Sequence, residues 1–165
     1  MKTALAALAR ENSPGLLEWL HVVHPRPNEW FAGKHRPVVI FTDLERVIEA
    51  SKSILALPPD WDEAGSPAFR QETWSRAITL LRAHAEALYD RYGLVLETPR
   101  ILPGPNGSID LHWKTRRREL LLNVPEAPEE PSSYYGDDFG SERRKGVTAP
   151  GALDMDLFSW LAVTD

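Results

Sequence analysis

The chain of 165 residues contains no cysteine. That excludes disulfide frameworks, thiolate-bound zinc or iron–sulfur sites and a cysteine nucleophile, and it suits a reducing, cytoplasmic compartment. Long apolar runs are missing too, and none approaches the roughly 20 residues that span a bilayer, so no membrane association is expected. The run of Ala and Leu near the start superficially resembles a signal peptide. It is stopped at once by Arg10 and Glu11 and reads better as a short helix with Leu5 and Leu8 on one face. Positive charge is in deficit, 19 Lys and Arg against 24 Asp and Glu, for a net charge of -5. This balance disfavours broad adhesion to nucleic acid or anionic membrane while leaving room for a local basic patch. Internal repeats, phosphate-binding glycine loops, nucleophile motifs and metalloprotease helices are all lacking. An enzyme is therefore the least supported class, and no cofactor is expected.

With 42% hydrophobic and 26% charged residues, the chain has enough apolar side chain for one globular domain over 1–165. The expected class is α+β: a long amphipathic helix packed on a three- to four-stranded antiparallel meander, with flanking N- and C-terminal helices. Residues 1–56 read as a helical and extended N-terminal extension. It includes a proline-rich connection with Trp30, Phe31 and His35, a short apolar strand at 38–41, and a helix capped by Thr42 or Asp43. On that helix Leu44, Val47, Ile48, Ser51 and Leu55 share a face.

Residues 57–135 form the expected centre. Ser66 followed by Pro67 signals a helix start, since serine caps and proline at the first helical position loses a donor that has no partner anyway. Phe69, Trp74, Ala77, Ile78, Leu81, Ala85, Leu88 and Tyr92 make an apolar stripe of about seven turns. Gly93 ends it. The period then changes to 2. Ile101 opens a strand, Asn106-Gly107 gives a strong hairpin signal, and Ile109, Leu111 and Trp113 alternate to one side. Residues 119–124 make the next strand, and 133–135 return as a fourth. The polar stretch 136–151 is expected to be a loop, and residues 152–165 a C-terminal helix with Leu153, Leu157, Trp160 and Leu161 on one face and Asp154 or Asp156 at its start.

The sequence around Leu57-Pro58-Pro59-Asp60-Trp61-Asp62, with Gly65 and Pro67 before a helix and Asn106-Gly107-Ser108-Ile109 leading to Trp113, resembles a widespread family of small uncharacterised bacterial proteins. Those proteins carry a Leu-Pro-x-x-Trp-Asp-Gly-x-Gly-Ala pattern before a helix and a β-hairpin. The resemblance covers residues 57–135. It implies an architecture and a bacterial origin, and it assigns no catalytic residue. Glu63 stands here where the pattern has glycine, Ser66 where it has alanine, and His112 where it often has glutamate.

Several constellations bear on chemistry. His21, His24 and His35 have the residue type of a three-histidine metal site, but scattered imidazoles in a proline-rich segment are the better reading, and no metal site is assigned. Asp60, Asp62 and Glu63 suit a hard cation or, more simply, the positive end of a helix, with Trp61 as a core anchor. His84 reads as a packed, hydrogen-bonded core histidine. His112 points away from Leu111 and Trp113, either exposed or under the C-terminal helix. Asp110 and Lys114 lack the second upstream carboxylate of a nuclease core.

Two basic runs carry the functional expectation. Lys114, Arg116, Arg117 and Arg118 crowd a hairpin tip, and Arg143, Arg144 and Lys145 follow the fourth strand. Brought to one end of the sheet, these seven cations form a patch, with Trp113, Tyr134 and Tyr135 near enough to stack on bases and Glu126, Glu129 and Glu130 neutralising part of it. The leading expectation is a non-catalytic protein-binding module, an accessory, antitoxin-like or immunity-like subunit whose protein partner is encoded nearby. Its contacts would be Trp30, Phe31, Arg116, Arg117, Arg118, Arg143, Arg144 and Lys145. The alternative is a nucleic-acid-associated protein that uses the same two runs together with Lys114.

Overall fold

The computed structural model describes residues 41–162. The chain divides at 36/37, and the described residues lie within the unit Pro37–Asp165. The expected N-terminal helix, most of the strand at 38–41, Trp30, Phe31 and His21, His24 and His35 fall outside the described residues.

The fold is α+β. Helix α1 (Thr42–Ser51) tightens into a 3-10 turn (Lys52–Ala56), α2 (Gln71–Tyr92) follows, then five strands, β1 (Arg100–Pro103), β2 (Ile109–Lys114), β3 (Glu119–Val124), β4 (Ser132–Asp137) and β5 (Arg143–Thr148), and finally α3 (Met155–Ala162). The strands pair antiparallel in chain order, a simple meander. Period-2 alternation sends Ile109, Leu111, Trp113, Leu120, Leu122 and Val124 to one face, each 4% exposed or less. There they meet Ala77, Ile78, Leu81, Ala85 and Leu88 of α2 and Leu157, Phe158 and Leu161 of α3 in one hydrophobic core. Burying each leucine fully is worth about 1.5–3 kcal/mol of transfer free energy.

The Asn-Gly signal works as its chemistry requires. Asn106 at φ 54°, ψ 34° and Gly107 at φ 77° give the paired positive φ of a type I′ turn. The Ser108 N–H closes it on the Pro105 carbonyl at 3.1 Å. The flanking register then sets Pro103 opposite Ile109 and Ile101 opposite Leu111. Gly93 ends α2 in the left-handed conformation at φ 68°.

Several local expectations need correction. Helix α2 starts at Gln71 rather than Ser66, because Ser66 is engaged elsewhere: its hydroxyl donates to Asp62 at 2.6 Å and accepts the Asn106 N–H at 3.1 Å. Arg70, at ψ 140°, is still extended, so Phe69 reaches the core from outside the helix, and Tyr92 at the far end is 51% exposed. Helix α1 has Phe41 at its N-cap and no side-chain cap; Asp43 instead accepts from Arg46 at 2.7 Å. The stretch expected to be a polar loop contains β5, paired from Ser132↔Thr148 to Asp137↔Arg143. Leu153 is 41% exposed, and Phe158 takes its place in the core face of α3.

The acidic cluster before α2 serves a turn, not a helix end. Asp62 accepts the Ala64 and Ser66 N–H groups at 3.1 and 3.2 Å, and Asp60 accepts the Gly65 N–H at 2.8 Å. The Ser66 hydroxyl, foremost, holds the Asp62 carboxyl below its ordinary range. Glu63 adopts φ 56°, the left-handed region that glycine enters without penalty. Trp61 is partly buried and packs its ring 5.8 Å from Phe69.

His84 is the core histidine that its position on the helix border suggests. It is 2% exposed, stacked 3.8 Å from the Phe158 ring, with Nδ1 at 2.9 Å from the Leu80 carbonyl and Nε2 accepting the Asp154 N–H at 3.0 Å. This pattern requires the neutral ring with its proton on Nδ1. Burial pushes its pKa down, partly opposed by the Leu80 carbonyl and the Asp154 charge. Asp154 in turn caps α3 by accepting the Leu157 N–H at 3.0 Å.

Candidate interaction surface

Since α2 and α3 pack on one face of the sheet, the alternate side chains of every strand project to the other. Across the middle of that outer face the register aligns Arg100, His112, Leu121, Tyr135 and Lys145. A second row aligns Leu102, Asp110, Asn123, Ser133 and Val147. Leu121, Tyr135 and Val147 are 37%, 45% and 64% exposed, an apolar spread at the β3–β5 side. Beside it lies a recess lined by Ser108, Asp110, Leu121, Asn123 and Ser133. The Asn123 amide donates to Ser108 Oγ and Asp110 Oδ1, both at 2.7 Å, and burial raises the Asp110 pKa against the lowering by Asn123.

At the edge of this face the row Lys114, Glu119, Asp137, Arg143 places two neighbouring carboxylates between two cations. Arg143 Nε lies 3.1 Å from Asp137, and Lys114 Nζ lies 3.5 Å from Glu119. His112 Nε2 meets Glu119 at 2.7 Å, and this hydrogen bond, ahead of Lys114, lowers the Glu119 pKa. His112 thus lies on the open face, half-buried, rather than beneath the C-terminal helix. The Tyr135 hydroxyl donates to Asp137 at 3.1 Å.

Both basic runs do reach one end of the sheet, but they divide between its faces. On the inner side the guanidinium groups of Arg118 and Arg144 lie over the Trp160 ring, 5.2 and 5.0 Å from its centre, in cation–π contact. Arg118 also donates to the Trp160 carbonyl. Glu142 completes the cluster, accepting from Arg144 Nε at 2.6 Å and from the Trp160 indole at 3.1 Å. The ring sits so close to the Gly136 backbone that a Cβ there would come 3.0 Å from it. Arg118 and Arg144 therefore have structural work, and they bind α3 to the sheet.

Arg116, Arg117, Arg143 and Lys145 are exposed. Trp113 is not available for stacking: it is 1% exposed, donates its indole N–H to the Glu97 carbonyl at 2.8 Å and meets Phe158 edge-on at 5.3 Å. Tyr134 faces inward across from Leu122, leaving Tyr135 as the exposed aromatic of that pair. The carboxylates tempering the patch are Glu119, Asp137 and Glu142. Glu126 is engaged by Arg70 at 2.6 Å, beyond the opposite end of β3.

Sequence reasoning missed Leu121 and Val147. The alternation from Glu119 to Val124 could have found Leu121, since it shares parity with Glu119 and Asn123 rather than with the core leucines. Val147 has no such signal, being in a strand that is polar on both sides. Among the described residues no group of three His, Asp or Glu side chains could hold a metal ion, and no helix is long and apolar enough to cross a membrane. Comparison with family models, with curated proteins and with solved structures gives no match.

Proposed function

We propose that this chain is a non-catalytic, cytoplasmic protein-binding module, an accessory subunit of antitoxin-like or immunity-like kind in a bacterial system, encoded near its partner. It engages that partner through the outer face of the sheet and the adjoining cationic end. The observation that carries this reading is the side-by-side placement of exposed Leu121, Tyr135 and Val147 with Lys145 and Arg143 on the outer face. Aromatic and apolar anchors rimmed by cations match the residue types that dominate protein interfaces. Arg116 and Arg117 extend the surface at the β2–β3 turn, and Trp30 and Phe31 are assigned to the same role on sequence grounds. Arg118 and Arg144 contribute by fixing that end of the fold rather than as direct contacts.

The test compares two tagged baits in native extract, the natural chain and a variant carrying Leu121→Ser, Tyr135→Ser and Val147→Ser. One protein should be retained stoichiometrically by the first and reduced at least about tenfold with the second, at unchanged thermal stability, which corresponds to about 1.4 kcal/mol or more of contact energy. Equal retention by both baits, or none by either, contradicts the reading.

A nucleic-acid-associated role is the second reading, favoured by the placement of Tyr135 directly across from Lys145. It draws on fewer cations than the seven in the sequence, because Arg118 and Arg144 cover Trp160 while Lys114 and Arg143 share carboxylates. It predicts affinity for single-stranded oligonucleotide that falls steeply with salt, with a slope reduced by Arg116→Ala and Arg117→Ala. Salt-independent or absent binding removes it.

A further inference from the structure

A recess of about 300 Å3 opens between α2 and the end of the sheet opposite the cationic turn. Helix α2 presents Ser75, Thr79 and Ala83 to it, short side chains about one turn apart that leave space where longer ones would fill it. Leu80 and Val124, 7% and 4% exposed, make its base apolar. Pro125 and Pro128 form the facing wall.

One cation in this recess has no carboxylate within ion-pair distance among the described residues. The half-buried Arg76 directs both N–H groups of Nη2 at backbone carbonyls, those of Pro125 and Glu126, each at 2.7 Å. These bonds fix the guanidinium at the recess, yet no carboxylate pairs with it among the described residues. The neighbouring Glu126 side chain is instead held by Arg70 at 2.6 Å. A partly desolvated guanidinium with donors to spare favours an anion, and a carboxylate can take two of its N–H groups at once. Glu130, also lining the recess, opposes the entry of a multiply charged anion. The volume is at the small end of the roughly 300–1,000 Å3 of small-molecule sites.

We propose that this recess binds a small amphiphilic monocarboxylate. The apolar body of the ligand lies along Thr79, Leu80 and Ala83, and its carboxylate takes the remaining donors of Arg76. Octanoate and octan-1-ol, equal in chain length and differing in charge, test this on the intact chain by amide-resolved NMR titration. Octanoate should give saturable shifts confined to residues 75–83, 124–132 and 150–151, with octanol at least about tenfold weaker. Arg76→Met should reduce octanoate to the affinity of octanol. Ala83→Leu, which fills the recess and leaves Arg76 in place, should remove the binding of both. Equal affinities for the two probes, shifts elsewhere on the chain, no saturation by about 10 mM octanoate, or an Ala83→Leu variant that still binds would overturn the proposal. The comparison of the two probes on the natural chain does not depend on how well either variant folds.

Discussion

The two faces of the sheet share five strands and one register, yet they carry opposite information. On the inner face Leu120 and Leu122 are buried against α2 and α3, at 0% and 1% exposure; on the outer face Leu121, between them in sequence, is 37% exposed. Leucine identity is therefore no guide to role here, and parity along the strand is. The inner face states how the domain holds together, and the outer face states what it can meet. The inner face also claims two arginines, because Arg118 and Arg144 are committed to Trp160.

Truncating neighbouring leucines should separate the two faces most strongly. Leu122→Ala should cost about 2–5 kcal/mol of unfolding free energy through lost burial and a residual cavity, whereas Leu121→Ala should stay within about 0.5 kcal/mol. Urea denaturation of both variants measures the contrast. Gly136→Ala comes next. Its new Cβ would stand 3.0 Å from the Trp160 ring, and crowding of this kind costs about 1–3 kcal/mol. Near-UV circular dichroism should report a changed tryptophan environment in the same variant.

The buried His84 makes the inner side of the sheet sensitive to pH. Its folded pKa is lowered from 6.5, mainly by burial, so in acid the unfolded chain takes up the proton first. The stability that the neutral ring contributes is complete above about pH 6.5 and is lost as pH falls below it. Protonation would also set an N–H against the Asp154 N–H, loosening the start of α3. A His84→Gln chain, compared with the natural one by thermal unfolding between about pH 7 and 5, should show a shallower decline. The smallest effect belongs to the exposed end row. Arg143→Gln breaks the 3.1 Å pair with Asp137, yet thermal unfolding should show almost no change, and still less in high salt.

Much of the fold was legible where one interaction dominates locally. The apolar stripe of α2 and its stop at Gly93 follow from period and backbone freedom, and the Asn106-Gly107 turn from the positive φ that both residues tolerate. The start of α2 was not legible, because the Ser66 hydroxyl has two competing partners, Asp62 and Asn106, and the second is 40 residues away. Strand β5 was hidden for a different reason. Arg143 to Thr148 alternate between exposed and half-buried with no fully buried position, so no apolar period marks them, and pairing with β4 supplies the order. The cationic site was half legible: the place of Lys114 to Arg118 follows from their hairpin tip, while the place of Arg143 to Lys145 depends on the hidden β5 and the division between two faces on Trp160 and Gly136, which no local spacing connects.

Photo-crosslinking can report which face of the sheet meets a partner. A benzophenone amino acid replaces Tyr135 on the outer face, and in a control chain it replaces Glu49, exposed on α1. Irradiation in the native host should join position 135 to one discrete protein partner and leave position 49 without that adduct. The same adduct from both positions, or none from position 135, would contradict the assignment of the outer face as the binding surface.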